Sequence, residues 1–329
     1  TIGKLVDRVY REYLEPNDDI QSFSILRGAM LADATDETVD YESDYLTSEE
    51  EDLLEPGAVV EVNRELMLVT ALNTSAEQLT VKRAFRGTTL AAHSVDDVMR
   101  VNPVFPRNTV FDAVCDQIKN LYPTLFATET KSITSKVGYI PLSGANDNYL
   151  IAPIKAISQY TDFSAGSDET GTIYAGVAVE IVDLPNPFTY TDADGVSQTI
   201  TYSNNGPDKV NAVQIYNVNS GHTVFVTFKK KFIEPTAESD TLASIGLESE
   251  YEPIIMAGTA AQMIAGRDIP SATAENITQS MQAQSFPVNS ASTIRNSLLR
   301  YQQALIEQAR KDLRARFPEP VTVNKISYT

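Results

Sequence analysis

The stretch from Gly57 to Pro106, GAVVEVNRELMLVTALNTSAEQLTVKRAFRGTTLAAHSVDDVMRVNPVFP, constrains the chain most, because it reads as a small β unit that the flanking segments support. Val59, Val60 and Val62 lead into Asn63-Arg64, Glu65 to Leu72 alternates loosely, and Asn73 to Glu77 supplies turn chemistry. Gln78 to Phe85 reads as a third strand and Val98 to Val101 as a fourth. Between these last two lies FRGTTLAAHSVDDV. Gly87 there permits a turn that a Cβ would hinder, and Arg86, Thr88, Thr89 and His93 are placed to tie the loop down.

The order of these features resembles a small β domain that recurs in neck and connector proteins of tailed bacteriophages. The residues that carry the resemblance are Val81-Lys82-Arg83, then Arg86-Gly87-Thr88-Thr89, Ala91-Ala92-His93 and the closing Val98. It implies a virion protein without fixing which one.

At 329 residues the chain exceeds the usual single-domain size, so two or three modules are expected. It is 42% hydrophobic and 21% charged, with no apolar run of the ~20 residues that span a bilayer, so a soluble globular protein with no membrane contact is expected. The opening TIGKLVDRVYREYL lacks an apolar secretory core, and no signal is expected. A single cysteine, Cys115, excludes an internal disulfide framework and suits assembly in a reducing host cytoplasm. The net charge of −18 argues against a surface that grips nucleic acid.

In chain order, Ile2, Leu5, Val6, Val9, Tyr10, Tyr13 and Leu14 share one helical face, ended by Pro16. Ile20 to Leu31 is read as extended. From Asp33 to Glu55 there are eleven acidic residues and no Lys or Arg: an acidic ligand surface, a cation site or a solvated face, partly helical over Ser48 to Leu54. Calcium-loop spacing is missing from it. Asn108-Thr109 is placed to cap a second helix carrying Phe111, Val114, Cys115, Ile118 and Leu121 to Tyr122, with Pro123 at its end and Cys115 on the buried stripe.

Short Val, Ile, Tyr, Phe and Thr runs between Ser132 and Ile233 predict strands at Ile133–Pro141, Ile154–Gln159, Ile173–Val182, Gln198–Tyr202, Ala212–Val218 and Thr223–Phe232. Asp192-Ala193-Asp194-Gly195 reads as a hairpin turn rather than a calcium loop. Tyr160, Tyr174, Tyr190 and Tyr202 are either strand packing or a sugar site. Beyond Pro235 a turn near Leu242 to Leu247 precedes a helix from about Pro253, with small residues at Ala257, Gly258, Ala260, Ala261 and Ala265. A last long helix carries Ile294, Leu298, Tyr301, Leu305, Ala309 and Leu313, with Ser292 as its cap. PEPVTVNKISYT then reads as an extended tail, either disordered or an arm that adds a strand to a partner.

Two histidines, one cysteine and no tryptophan leave few catalytic constellations, and no phosphate loop, nucleophile elbow or Cys/His metal spacing is present. The expectation is therefore no enzyme, no catalytic residues, no cofactor and no metal. The predicted fold class is α+β, a discontinuous α-helical bundle (1–19, 107–129 and 236–317) with an inserted small β-barrel-like domain (20–106) and an inserted β-sandwich (130–235), followed by an arm (318–329). The resemblance implies a head-to-tail adaptor in the virion neck, a homo-oligomeric ring of twelve copies beneath the portal protein. Genomic DNA would pass through it without sequence-specific binding, and tail or neck proteins would attach to it. By the same resemblance Arg310, Lys311, Arg314, Arg316, Val321, Val323, Lys325 and Ile326 would dock on the portal. The rival readings are a baseplate- or fibre-associated carbohydrate-binding module and, since paired carboxylates are abundant, a carbohydrate-active or peptidoglycan-cleaving enzyme.

Overall fold

The computed structural model describes residues 1–14, 22–133, 138–141, 150–161, 172–176, 179–185, 188–191, 197–200, 209–215, 222–265, 291–317 and 324–326. They fall into two compact units. The first comprises Thr1–Gln117, Pro235–Thr241 and Glu252–Leu305; the second comprises Ile118–Glu234, Leu242–Tyr251 and Ile306–Thr329.

In the first unit, α1 (Ile2–Val9) runs into a π turn at Tyr10–Leu14, and all seven apolar residues of the predicted face are buried. The helix opens on Thr1, whose hydroxyl accepts the Lys4 amide. Six strands follow: β1 (Phe23–Ile25), β2 (Thr38–Asp40), β3 (Val59–Val62), β4 (Glu65–Asn73), β5 (Gln78–Lys82) and β6 (Val98–Val101). They form one antiparallel sheet in the order β1-β6-β3-β4-β5-β2. The sheet curls around Val60, Val62, Met67, Val69, Leu79, Val81 and Met99. Its two edges meet at one end: Leu26 bridges Tyr41, the Arg27 amide donates to Asp40 O (2.9 Å) and the Glu42 amide to Ile25 O (3.0 Å).

Strand β2 lies inside the acidic run, where the sequence offers a ligand surface, a cation site or a solvated face but no strand. Val39 and Tyr41 are the inward residues here and both are fully buried. The carboxylates around them have protein partners. Glu50 closes a capping box with Thr47 at the start of α2 (Ser48–Glu51), Glu51 accepts from the Tyr41 hydroxyl, and Glu77 pairs with Arg27. The Thr47 amide is the main cause of the lowered Glu50 pKa. Among the described residues no His, Cys, Asp and Glu group could hold a metal ion.

Helix α3 (Arg107–Leu121) follows the sheet, with Cys115 buried in it and the Cys115 thiol donating to Pro235 O. In α4 (Glu252–Met263) Ala257, Gly258, Ala260 and Ala261 are buried; Ala265, beyond its end, is exposed. The long helix α5 spans Ala291–Arg316, 26 residues, and so starts one residue before the predicted cap Ser292. Ile294, Leu298, Ala309 and Leu313 are buried, while Tyr301 and Leu305 are half-buried.

The second unit is mostly strand. Beginning with β7 (Ala127–Ile133), it continues through β8 (Gly138–Pro141), β9 (Leu150–Thr161), β10 (Thr172–Gly176), β11 (Val179–Pro185), β12 (Phe188–Thr191) and β13 (Ser197–Ile200). It ends with β14 (Lys209–Ile215), β15 (His222–Lys230) and β16 (Asn324–Ile326). These make a sheet ordered β10-β9-β15-β7, a second ordered β16-β11-β14-β8, and the β12–β13 hairpin. Strand β7 starts at Ala127, within the span predicted as helical body, and pairs with β15 from Ala127↔Lys230 to Ile133↔Val224. Thr191 faces Ser197 across the hairpin; the turn residues 192–196 between them lie outside the described residues, as do Tyr202 and the side chains of Tyr160, Tyr174 and Tyr190.

The discontinuous helical bundle is therefore not the architecture. The described residues are mixed α and β and strand-rich, built on a curled six-stranded antiparallel sheet and two four-stranded sheets. The predicted helical faces exist, but a 3.6-residue period reports that a face is buried, not what covers it. Helix α1 packs on α4, yet it also meets extended chain, and the turn after it meets a strand. The amides of Ile2 and Gly3 donate to Asp240 O and Glu238 O, and Arg100 of β6 sits 4.7 Å from the Tyr10 ring centre.

Candidate functional site

The loop between β5 and β6 is anchored on a residue outside it. Glu65 opens β4 directly after the two-residue turn Asn63-Arg64, since Val62 and Glu65 pair across that turn and Asn63 takes the left-handed conformation it needs (φ 54°). The Glu65 side chain points inward and is fully buried. Arg83, one residue beyond β5, meets it as a fork: Nε donates to Oε1 and Nη2 to Oε2, both at 2.7 Å. The amides of Ala84 and Ala91 and the ring Nε2 of His93 complete the shell, each at 3.0 Å. The remaining donors of Arg83 go to the carbonyls of Leu31, Asp36 and Ala91.

Burial pushes the Glu65 carboxyl up, but Arg83, the two amides and His93 together outweigh it and hold the pKa at about 2. The group is an anion at any physiological pH, with both oxygens occupied. His93 lies between Glu65 and Asn63, whose Nδ2 is 3.4 Å from Nδ1, and its backbone exchanges two 2.9 Å hydrogen bonds with Met30. Asn63 Nδ2 also donates to Asp97. This arrangement fixes geometry; it leaves no lone pair of Glu65 for proton transfer.

What the node holds in place is a strained turn. Ala84 and Arg86 have φ of 50° and 55°, and Gly87 has 78°. Left-handed geometry costs a residue with a Cβ roughly 1–2 kcal/mol. A Cβ added at Gly87 would meet no atom within 4 Å, so the requirement there is one of backbone conformation rather than space. Thr88 secures the turn from inside, its hydroxyl accepting the Leu66 amide (3.1 Å) and donating to Phe85 O (3.0 Å). Arg86, Gly87 and Thr89 are left exposed at the tip. Beside the loop is a cavity of about 450 Å³, lined among others by Asn63, Arg64, Thr89, Ala91, His93 and Asn108. Arg64 is stacked 3.6 Å from the Phe111 ring centre and donates to Asn108.

Of the five loop residues that the sequence singles out, Thr88 and His93 act as ties, Gly87 supplies the conformation, and Arg86 and Thr89 face outward. Sequence reasoning misses Glu65 and Arg83 as site residues. The signals for them are a carboxylate in an apolar strand and, for Arg83, a place in the motif that carries the resemblance, and nothing local pairs them.

The residues expected to dock on a portal are spread differently. Lys311 and Arg314 are exposed on α5, Arg310 pairs with Glu307, and Arg316 is held by Glu248 and Glu250. Lys325 and Ile326 lie in β16, paired with β11 of the same chain, while Val321 and Val323 lie outside the described residues. Compared with known proteins, the chain matches no family model and no curated protein.

Proposed function

We propose that the protein is a structural component of a tailed-phage virion, a head-to-tail adaptor that assembles as a ring beneath the portal, continues the DNA channel and carries the tail. The observation behind this reading is the Glu65 node. Arg83, Ala91 and His93, all within the motif that resembles neck and connector domains, converge on one buried carboxylate and hold an exposed strained turn. A rigid loop of that kind suits a docking contact, and assembly rather than turnover is the proposed activity.

Charge and surface support the same reading. The first unit carries 28 acidic against 13 basic residues and the second 16 against 13, so the excess negative charge belongs mainly to the unit with the loop. A polyanion sliding past such a surface is not held. On that unit the outer face of β1 and β6 leaves Phe23 36%, Val98 49% and the neighbouring Tyr45 50% exposed, with the Phe23 and Tyr45 rings 6.0 Å apart. We assign this apolar strip to contact with the next copy in the ring. Lys311 and Arg314 are assigned to the portal.

The test is the mass of the purified protein by light scattering, alone and with its portal, with negative-stain images of the mixture. A closed ring, either alone or formed on the portal, is expected. A monomer or trimer indifferent to the portal overturns the reading.

A further inference from the structure

Three backbone pairs hold the C-terminal strand. Glu180 faces Asn324, Ile181 faces Lys325 and Val182 faces Ile326, in parallel register. The partner strand β11 has seven residues, and all seven pair with β14 on the other side, from Val179↔Ile215 to Pro185↔Lys209. β16 is thus an edge strand that covers less than half of the strand it closes. Parallel pairing is slightly weaker per residue than antiparallel, and a pairing this short is marginal unaided. What favours it is the tether: α5 ends at Arg316, and Asn324 follows eight positions later. A short tether sets an effective concentration in the millimolar range, which a second copy can match only when it is held alongside.

We propose that Asn324–Ile326 is an exchangeable strand, closing its own β11 in the isolated chain and the β11 of a neighbouring copy once copies are brought together. The same three pairs form in either arrangement, so the exchange loses none of the contacts it replaces. Its reach is bounded. From Phe317 to Asn324 the backbone extends at most about 24 Å, so the acceptor strand must come that close to the donor helix end. The partner is a second copy of this chain because the acceptor edge, its register and the donor strand are all present in one sequence. The inference does not rest on the adaptor reading; any assembly of copies suffices.

The test uses two full-length single-site variants, Ile181→Cys and Lys325→Cys, at positions that are backbone partners in the observed register. Neighbouring strands lie about 4.8 Å apart, within disulfide range, and the native Cys115 is buried. A doubly substituted chain, oxidised at about 1 μM, far below the millimolar tether concentration, should close within itself. An equal mixture of the two single variants, oxidised in the millimolar range or in any isolated oligomer, should give a covalent dimer joined at 181 and 325. Peptide mapping identifies the joint. Exchange is overturned if the mixture gives no such dimer, or if Lys325→Cys joins Asp183→Cys equally well, which would mean chance collision. It is also overturned if the double variant fails to close when dilute, because the pairing itself is then absent. Since no portal is present, failure of the adaptor reading leaves this readout unaffected.

Discussion

Glu65 and Arg83 form a two-pronged ion pair with both bonds at 2.7 Å and side chains 0% and 2% exposed, across 18 positions of sequence. Removing one partner from a buried pair leaves an uncompensated charge, at a cost of about 3–5 kcal/mol. Arg83→Met should therefore lower unfolding stability by that amount in a urea titration followed by tyrosine fluorescence. Arg83→Lys should recover only part of it, because an ammonium cannot reproduce the fork. A loss below ~1 kcal/mol for Arg83→Met would contradict a buried, mutually dependent pair.

Acid should weaken the same pair. The Glu65 pKa falls from an ordinary 4.5 to about 2 in the folded chain. A depressed carboxylate stabilises fully above its unfolded pKa, and that contribution disappears as pH falls through the folded one. It amounts to about 3 kcal/mol at neutral pH. The stability difference between the native chain and Glu65→Gln should stay constant above pH ~5 and narrow steadily towards pH ~2. A difference unchanged over that range would mean that Glu65 is not held ionised by these donors.

Arg107 at the start of α3 meets Glu238 through two bonds (2.9 and 2.7 Å) and Asp7 through one (2.7 Å), while its amide donates to Glu61. Burial alone would lower its pKa; Glu238 first, then Asp7, raise it instead. Arg107→Ala should cost about 3 kcal/mol in the same titration, from a broken network and an unpaired Glu238. Asp7→Ala should cost under ~1 kcal/mol, because Asp7 is exposed. Equal effects would show that the arginine acts only through its outer contact.

Gly258 in α4 is overlaid by the amide ends of Gln117 and Gln302, which bond each other at 2.8 Å; a Cβ there would collide with both. Gln117 also reaches Gln262 and Gln302 reaches Ile254 O, so one polar network links α3, α4 and α5. In the native background Gly258→Ala should destabilise by about 1–2 kcal/mol, as a packed network must move. In a Gln302→Ala background the same change should turn neutral or stabilising by up to ~1 kcal/mol, since alanine is the better helix former. A double-mutant cycle reads the sign directly. Additive effects would exclude the proposed coupling.

Val98→Glu places a charge on the exposed strip beside Phe23 and Tyr45 without disturbing the sheet interior. Thermal stability should stay within ~0.5 kcal/mol of native while copy-to-copy assembly falls at least tenfold by light scattering. Unaltered assembly would remove the strip from the ring contact.

Much of the local structure is legible because it depends on neighbours in sequence. The α1 face from Ile2 to Leu14, the strands from Val59 to Val101 and the α5 stripe through Leu313 follow from periodicities that a few residues establish. Strand β2 is hidden because Thr38–Asp40 is three residues long, and Val39 and Tyr41 stand between polar and acidic neighbours, too short an alternation to register a period. β7 is hidden because Ala127 to Ile133, ATETKSI, is mostly polar and owes its conformation to pairing with β15, about a hundred positions away.

Which faces are buried, where Gly87 must turn and how large the negative charge is can be read along the chain, since composition and short-range sterics are written residue by residue. What those faces meet depends on the folded arrangement. It set α1 against extended chain and α4 and the turn after it against β6, brought Glu65 to Arg83 and His93, and closed β11 with Asn324–Ile326. Each of these joins residues far apart in the chain, and their pairing depends on how the intervening segments close, which no local pattern encodes.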